Sequence, residues 1–231
     1  MTLQGRRIVV LGGSSGIGLA VGQAAAREGA TVVIASSRRA RVDVALKTLP
    51  EGTEGHALDL ADEPAVRAVF ERLGNFDHLV FSAGESLQLD RLTNTDVEAA
   101  KRFFGLRYWG AYLAAKHGSG SIREGGSIVF TSGIAGQRPR PGWSVAASIC
   151  AAMEGLTRAC GRAGTDPGRY RLAWCSEDAA LGRNGRGRSR GAVPANGRAL
   201  AGRPYWGARR DRGSLSLPDG PELRDRTGIG C

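Results

Sequence analysis

The sequence predicts an α/β fold of the Rossmann-like kind, a doubly wound parallel sheet with helices on both faces, and three observations carry the prediction. Residues 8–18, Ile-Val-Val-Leu-Gly-Gly-Ser-Ser-Gly-Ile-Gly, join an apolar run to a glycine-rich turn that opens into a helical pattern. Apolar strand-like runs near 6–11, 31–35, 54–58, 77–82 and 126–132 alternate with segments of helical period, as successive βαβ units require. The alternation holds to Arg158 and vanishes after Ala159. The expected fold is therefore an incomplete doubly wound sheet, five strands over residues 1–159, followed by an irregular Gly/Arg-rich tail over 160–231.

The first strand feeds a turn built to receive phosphate. A helix start offers unpaired N–H groups and a partial positive charge. Gly12 can turn the chain, Gly16 lets backbone approach a pyrophosphate, and Gly18 lets the helix pack close to the strand. Ser14, Ser15 and Ile17 complete this candidate cradle. The second strand, Ala30–Ala35, ends in Ser36-Ser37-Arg38-Arg39. An acid at that strand end would bind the ribose hydroxyls of NAD, whereas Ser36, Ser37 and Arg38 suit the 2′-phosphate of NADP. The alternative for the two arginines is a solvated first helical turn. The third strand leads to Asp59-Leu60, the fourth (Asp77–Phe81) to Ser82-Ala83-Gly84, and the fifth to Ser132.

Residues 6–158 resemble the short-chain dehydrogenase/reductase family. The glycine loop is similar to that family's Thr-Gly-x-x-x-Gly-x-Gly, with Leu11 where threonine is usual. Asp59-Leu60 matches the adenine-contacting segment, and Ser82-Ala83-Gly84 resembles Asn-Asn-Ala-Gly. Gly126–Gly133 resembles the strand that delivers the catalytic serine, here Ser132. The resemblance implies hydride transfer between NADP (NAD less so) and a small carbonyl or alcohol substrate. The family's Tyr-x-x-x-Lys pair is absent: the register of the helix Ala151–Arg158 puts Ala146 at the tyrosine position and Cys150 at the lysine position. The family's helix asparagine falls on Arg107. In the family, tyrosine donates a proton to the carbonyl, a contribution typically worth about 100- to 10,000-fold. Ser132 alone remains, and an ordinary strand-end serine would read the same way.

Composition bounds the other possibilities. The chain of 231 residues has one domain's worth of core and no long apolar run, and it enters its first strand without a leader-like segment, so a cytoplasmic protein without a membrane span is expected. Cys150, Cys160, Cys175 and Cys231 have no metal-ligand spacing, and the three histidines are scattered, so no metal site is expected. The formal charge of +10 is uneven. Residues 160–231 hold 14 arginines, no lysine and seven acids, a net of +7, which leaves +3 for residues 1–159.

That tail reads as a shifted reading frame. Read one base later, codons for 164–168 can give Ala-Pro-Ile-Arg-Val, and those for 172–182 can give a Pro-Gly loop that resembles the family's nicotinamide-side segment. Trp174-Cys175 and Trp206-Gly207 must each give glycine in that frame, where the family pattern wants one. The alternative is a disordered basic tail that binds nucleic acid by charge. Three functions stay open: a family oxidoreductase with altered catalytic residues, a dinucleotide-binding protein without turnover, and a nucleic-acid-binding protein. A family-type homo-oligomer loses support, because the elements that build its contacts are missing from this frame.

Overall fold

Ile8–Leu11 can be apolar without a break because helices cover the strand on both sides. In the computed structural model, which describes residues 3–85, 89–163 and 170–175, these four residues are nearly inaccessible to solvent. They belong to β1 (Arg7–Leu11), the centre of a sheet that continues as β2 (Thr31–Ser36), β3 (Glu54–Ala57), β4 (Phe76–Phe81), β5 (Ile122–Gly133) and β6 (Tyr170–Cys175). Every strand pairing is parallel and the order is β3-β2-β1-β4-β5-β6. The order reverses between β1 and β4, which makes the crevice above these two strands the topological switch point where such sheets bind ligands.

Side chains alternate between two cores, as the period of a strand demands. Val9 and Leu11 join Phe70, Phe81, Phe130 and Met153 on one face, while Ile8 and Val10 join Val32, Ile34 and Val42 on the other. The second face is covered by α1 (Gly16–Arg27) and α2 (Arg39–Leu46). The first is covered by α3 (Glu63–Leu73), α5 (Gly110–Gly118) and α6 (Ser144–Ala163). Asp62 caps α3 by accepting from the Ala65 amide at 3.0 Å, and Asp96 caps α4 (Val97–Phe104) by accepting from Ala99 at the same distance.

The five expected strands form, and three features depart from the expectation. First, Tyr170–Cys175 adds a sixth strand beside β5, with Phe130 opposite Leu172 and Ser132 opposite Trp174, so the tail is not wholly irregular. The Tyr-Arg-Leu-Ala-Trp-Cys stretch is a short, largely apolar run of strand length, a pattern masked by the Gly/Arg composition around it. Second, β5 begins at Ile122 rather than near 126. Its register against β4 shifts between Phe76 and His78, and Arg123 in the irregular stretch reaches Asp77 at 2.9 Å. Third, α6 runs on to Ala163, past the composition break at Ala159. The remaining parts of the segments read in the shifted frame, 164–168, 176–182 and 203–209, lie outside the described residues.

Candidate functional site

Every loop that leaves a carboxyl end of β1–β5 meets at one cleft of about 770 Å3. The turn after β1 contributes Gly12, Ser14, Ser15, Gly16 and Ile17, and the end of β2 contributes Ser36 and Ser37. Asp59 and Leu60 follow β3, Ser82, Ala83 and Gly84 follow β4, and Ser132 closes β5. Ala146 and Cys150 line the same cleft from α6. Two of the residues singled out in the sequence are placed otherwise. Gly18 lies beneath the turn, where a Cβ would fall on the carbonyl oxygen of Gly12 and on Ser82 Oγ. Arg38 is exposed at the start of α2 and is not among the residues lining the cleft.

The turn after β1 is held by its own backbone. Gly12 has φ +87° and sits against Ala83, where a Cβ would approach the Ala83 nitrogen to 2.5 Å. Its N–H donates to the Ala35 carbonyl at 2.8 Å, and the Ser82 N–H donates to Leu11 at 2.9 Å, so the ends of β1, β2 and β4 are tied together. Ser14 Oγ donates to Ser36 Oγ at 2.8 Å, joining the turn to the end of β2. Gly16, at φ +54°, has open space where a Cβ would stand. Ser15 precedes α1 without a side-chain cap, and no acid occupies the first turn of that helix. This is a concave surface with uncapped helical N–H groups, and a dinucleotide's pyrophosphate fits it. Asp59 is fixed by accepting from the Ala61 amide at 2.9 Å.

Arg41 is a cleft residue that sequence reasoning missed, as are Glu85 and Arg102. It stands one helical turn after Ser37, a spacing that could have suggested it, and it lines the cleft where Arg38 does not. Arg39 is engaged elsewhere, with Asp43 at 2.9 Å and the Gly55 carbonyl at 3.3 Å.

The half of the cleft around Ser132 has unusual chemistry. Ser132 is only 4% exposed, and its hydroxyl donates to the Cys150 carbonyl at 3.3 Å. Its proton is thus directed at α6 rather than at the cleft. Among the described residues, no tyrosine, lysine or histidine lines the cleft. Tyr108 packs against the core and edge-on to Trp109, and Tyr112 is exposed on α5. Arg107 does face the cleft. It sits on a single turn of π-helix, Gly105–Trp109, that joins α4 to α5, a kind of irregularity frequent at functional sites. Its guanidinium lies against Gly84, where a Cβ would come within 2.5 Å of Nε, and over the Phe103 ring at 5.2 Å. Among the described residues there is no cluster that could hold a metal ion, and no helix is long and apolar enough to cross a membrane.

Residues 6–166 match the family model described as short chain dehydrogenase. The chain is 33% identical to the short-chain dehydrogenase/reductase ucsE of Acremonium sp over 175 residues, 68% of this chain and 66% of that one. It is 31% identical to the cyclic-di-GMP-binding biofilm dispersal mediator protein of Escherichia coli (strain K12), covering 68% of this chain and 66% of the relative. These matches thus span about two thirds of the relatives' own length. Among solved structures, a short chain dehydrogenase/reductase family protein superposes with a TM-score of 0.70 at 30% identity, over 75% of each chain. A small-chain dehydrogenase in complex with NADPH gives 0.58 at 34% identity, over 69% of this chain and 65% of that one.

Proposed function

The chain belongs to the short chain dehydrogenase family, and from that premise we propose that its cleft binds NADP in preference to NAD and that this chain transfers hydride slowly or not at all. The observation that carries the cofactor reading is the end of β2. Ser36 and Ser37 line the cleft there with Arg41, and the residues that end β2, Ser36-Ser37-Arg38-Arg39, include no acid to repel a 2′-phosphate. Ser14, Ser15, Gly16 and Ile17 would hold the pyrophosphate, with Gly18 shaping the turn from below. Asp59 and Leu60 would hold the adenine, and Ser82, Ala83 and Gly84 would lead toward the nicotinamide. Titration of the full chain with NADPH and NADH tests this, with tighter binding of NADPH expected and equal affinity refuting the preference. Arg41→Ala is expected to weaken NADPH by about fivefold, the modest scale of an exposed ion pair, and Arg38→Ala to weaken it less.

A nicotinamide, when bound, would supply a hydride to a carbonyl carbon or accept one from an alcohol carbon. Among the described residues that line the cleft there is no tyrosine, lysine or histidine to move the accompanying proton. Ala146 and Cys150 stand at the positions of the family's proton donor and its ammonium partner, and Ser132 gives its hydrogen to a backbone carbonyl. Water must then deliver the proton. The test is NADPH oxidation over a panel of small aldehydes and ketones. Robust turnover that Ser132→Ala abolishes would overturn the reading.

A second reading, dinucleotide binding without turnover, is favoured by the same missing acid together with the arginines Arg41, Arg102 and Arg107 on the cleft wall. The relative named for binding cyclic di-GMP makes that dinucleotide the second ligand to titrate, in competition with NADPH. For the tail, the shifted frame is supported by the family match ending at residue 166 and by the loss of apolar periodicity beyond Ala159. The strand at 170–175 counts against it. The nucleotide sequence decides: its one-base-shifted frame is expected to encode a strand followed by a Pro-Gly loop. Binding of RNA by residues 160–231 alone, with steep salt dependence, would favour a basic tail instead. The cytoplasm is the location that this reading implies.

A further inference from the structure

We infer that Trp143 is a specificity-determining residue of the cleft, whose indole selects an uncharged ligand with a flat aromatic ring over a saturated one of the same size. The inference rests on the reading of the cleft as a dinucleotide site. It names the substrate class of the half that the pyrophosphate and adenosine leave over: aryl ketones and the matching alcohols.

The placement of Trp143 is the first argument. Its amide donates to the Arg140 carbonyl at 3.0 Å, and its own carbonyl accepts from the Ala147 amide at 2.7 Å, so the residue is tied on both sides where the chain enters α6. The turn before it uses Gly142 at φ +82°, and a Cβ there would stand 3.5 Å from the Asp90 carbonyl oxygen. The Arg140 guanidinium lies over the indole, 5.4 Å from the ring centroid. Arg140 is exposed and is not among the residues lining the cleft, whereas Trp143 is half-buried and lines it. The indole is therefore backed by a cation from outside and presented to the cleft already in place. A ring fixed before binding loses little freedom on meeting a ligand.

The surroundings supply the second argument. Trp143, Ala146 and Ile149 recur every three residues, so they lie along one side of α6 and line the cleft together. Ala146 and Ile149 are each 2% exposed, which makes them a firm apolar floor beside the indole. Leu89 lines the cleft from the segment after β4 and is 36% exposed. Its neighbour Asp90 lies close to Gly142, so Leu89 and Trp143 belong to the same stretch of rim. Apolar groups left open at the mouth of a cleft gain when an apolar body covers them. The charged residues of this wall, Glu85, Arg102 and Arg107, are of both signs, and Glu85 and Arg102 are exposed to water, so they select neither an anion nor a cation. Burial of area favours any apolar body alike. The indole alone distinguishes a flat aromatic group, which packs offset or edge-on against it, from a puckered one.

Acetophenone and cyclohexyl methyl ketone make the probe pair, both uncharged ketones of nearly equal size. Their binding to the full chain is measured by ligand-observed NMR titration, with and without saturating NADPH. Acetophenone is expected to bind about fivefold more tightly, the scale of an aromatic pair beyond the area it buries. Trp143→Leu, which keeps an apolar side chain and removes the ring, is expected to bring that ratio close to one, while Trp143→Phe retains part of it. Equal binding of the two ketones to the wild type, tighter binding of the saturated one, or no binding of either overturns the inference. So does an unchanged ratio in Trp143→Leu. If Trp143→Leu does not fold, Trp143→Phe decides, a reduced ratio supporting the inference and an unchanged one overturning it. Mutual exclusion of acetophenone and NADPH would place the aromatic ring in the dinucleotide's own half and overturn it as well. If NADPH itself fails to bind, the cofactor reading falls, and the ketone ratio of the chain alone still decides this one.

Discussion

Two glycines of the turn after β1 serve different ends, and substitution separates them. A Cβ at Gly18 would overlap Gly12 and Ser82, so Gly18→Ala is expected to lower stability by about 1–3 kcal/mol, the range for forcing atoms into a packed site. A Cβ at Gly16 meets nothing, but it would stand in the open cradle at a positive φ. Gly16→Ala should therefore cost only about 1 kcal/mol of stability while weakening NADPH binding at least tenfold. Denaturant unfolding and nucleotide titration of both variants check the contrast. Asp77 is a buried carboxylate whose charge is tied to folding. Burial pushes its carboxyl up, but the Arg7 amide at 2.8 Å and the Arg6 and Arg123 guanidiniums, at 2.8 and 2.9 Å, together hold it below its ordinary value of 3.8. A lowered folded-state value means that the carboxylate stabilises fully above its unfolded value near pH 4, and that this stability is lost as pH falls through the folded value. Asp77→Asn is expected to remove that acid-side decline, and Asp77→Ala to cost about 1–3 kcal/mol at neutral pH, chiefly by leaving the Arg7 amide without its acceptor. Unfolding midpoints between pH 2 and 7 test both.

Among the elements, α6 links the core to the site. Ala146, Ile149, Met153 and Leu156 recur at helical spacing and are all buried, so this one stripe holds the helix against the sheet. Met153 is 2% exposed, and Met153→Ala is expected to cost about 2–5 kcal/mol by the cavity it leaves. The same helix sends the Cys150 carbonyl to Ser132. Loosening α6 should therefore be felt at the cleft, as weaker ligand binding in Met153→Ala at temperatures well below its melting point. The continuous helical rod formed by α4, the π-turn and α5 is the second such device. Its extra residue per turn reorients the stretch that carries Arg107, and periodicity alone does not reveal it because a single wide turn leaves the apolar spacing on either side intact.

For the whole molecule, the proposed loss of the proton donor and the proposed frame shift in the tail make one prediction together. Tyrosine at 146 and lysine at 150, introduced in a frame-corrected chain, are expected to raise NADPH-dependent carbonyl reduction by about 100-fold or more over the frame-corrected parent, the range for a positioned acid. The same two substitutions in the present 231-residue chain should yield far less. Steady-state rates of the four proteins decide it. Similar gains in both backgrounds would mean that the tail has no bearing on catalysis.

Parallel pairing and the location of the cleft followed from local pattern, because a buried parallel strand must be apolar on both faces and a glycine turn into a helix must lie at its carboxyl end. The cleft residues from Gly12 to Gly84 were legible for that reason, each being the first few residues after a strand. What lay beyond local pattern depended on contacts between distant segments. Arg38 and Arg41 are both basic residues after β2, and the winding of α2 decides which of them lines the cleft. Ser132 was legible as a strand-end serine, but the direction of its hydroxyl is set by a carbonyl 18 residues away. Arg107 was identified only as the residue standing where an amide was wanted. Its approach to Gly84, and hence its place in the site, exists because the sheet brings the end of β4 against a helix more than 20 residues later in the chain. Residue type and spacing could say what each side chain is able to do. Which of those chemistries face one another was decided by the packing of helices onto the sheet.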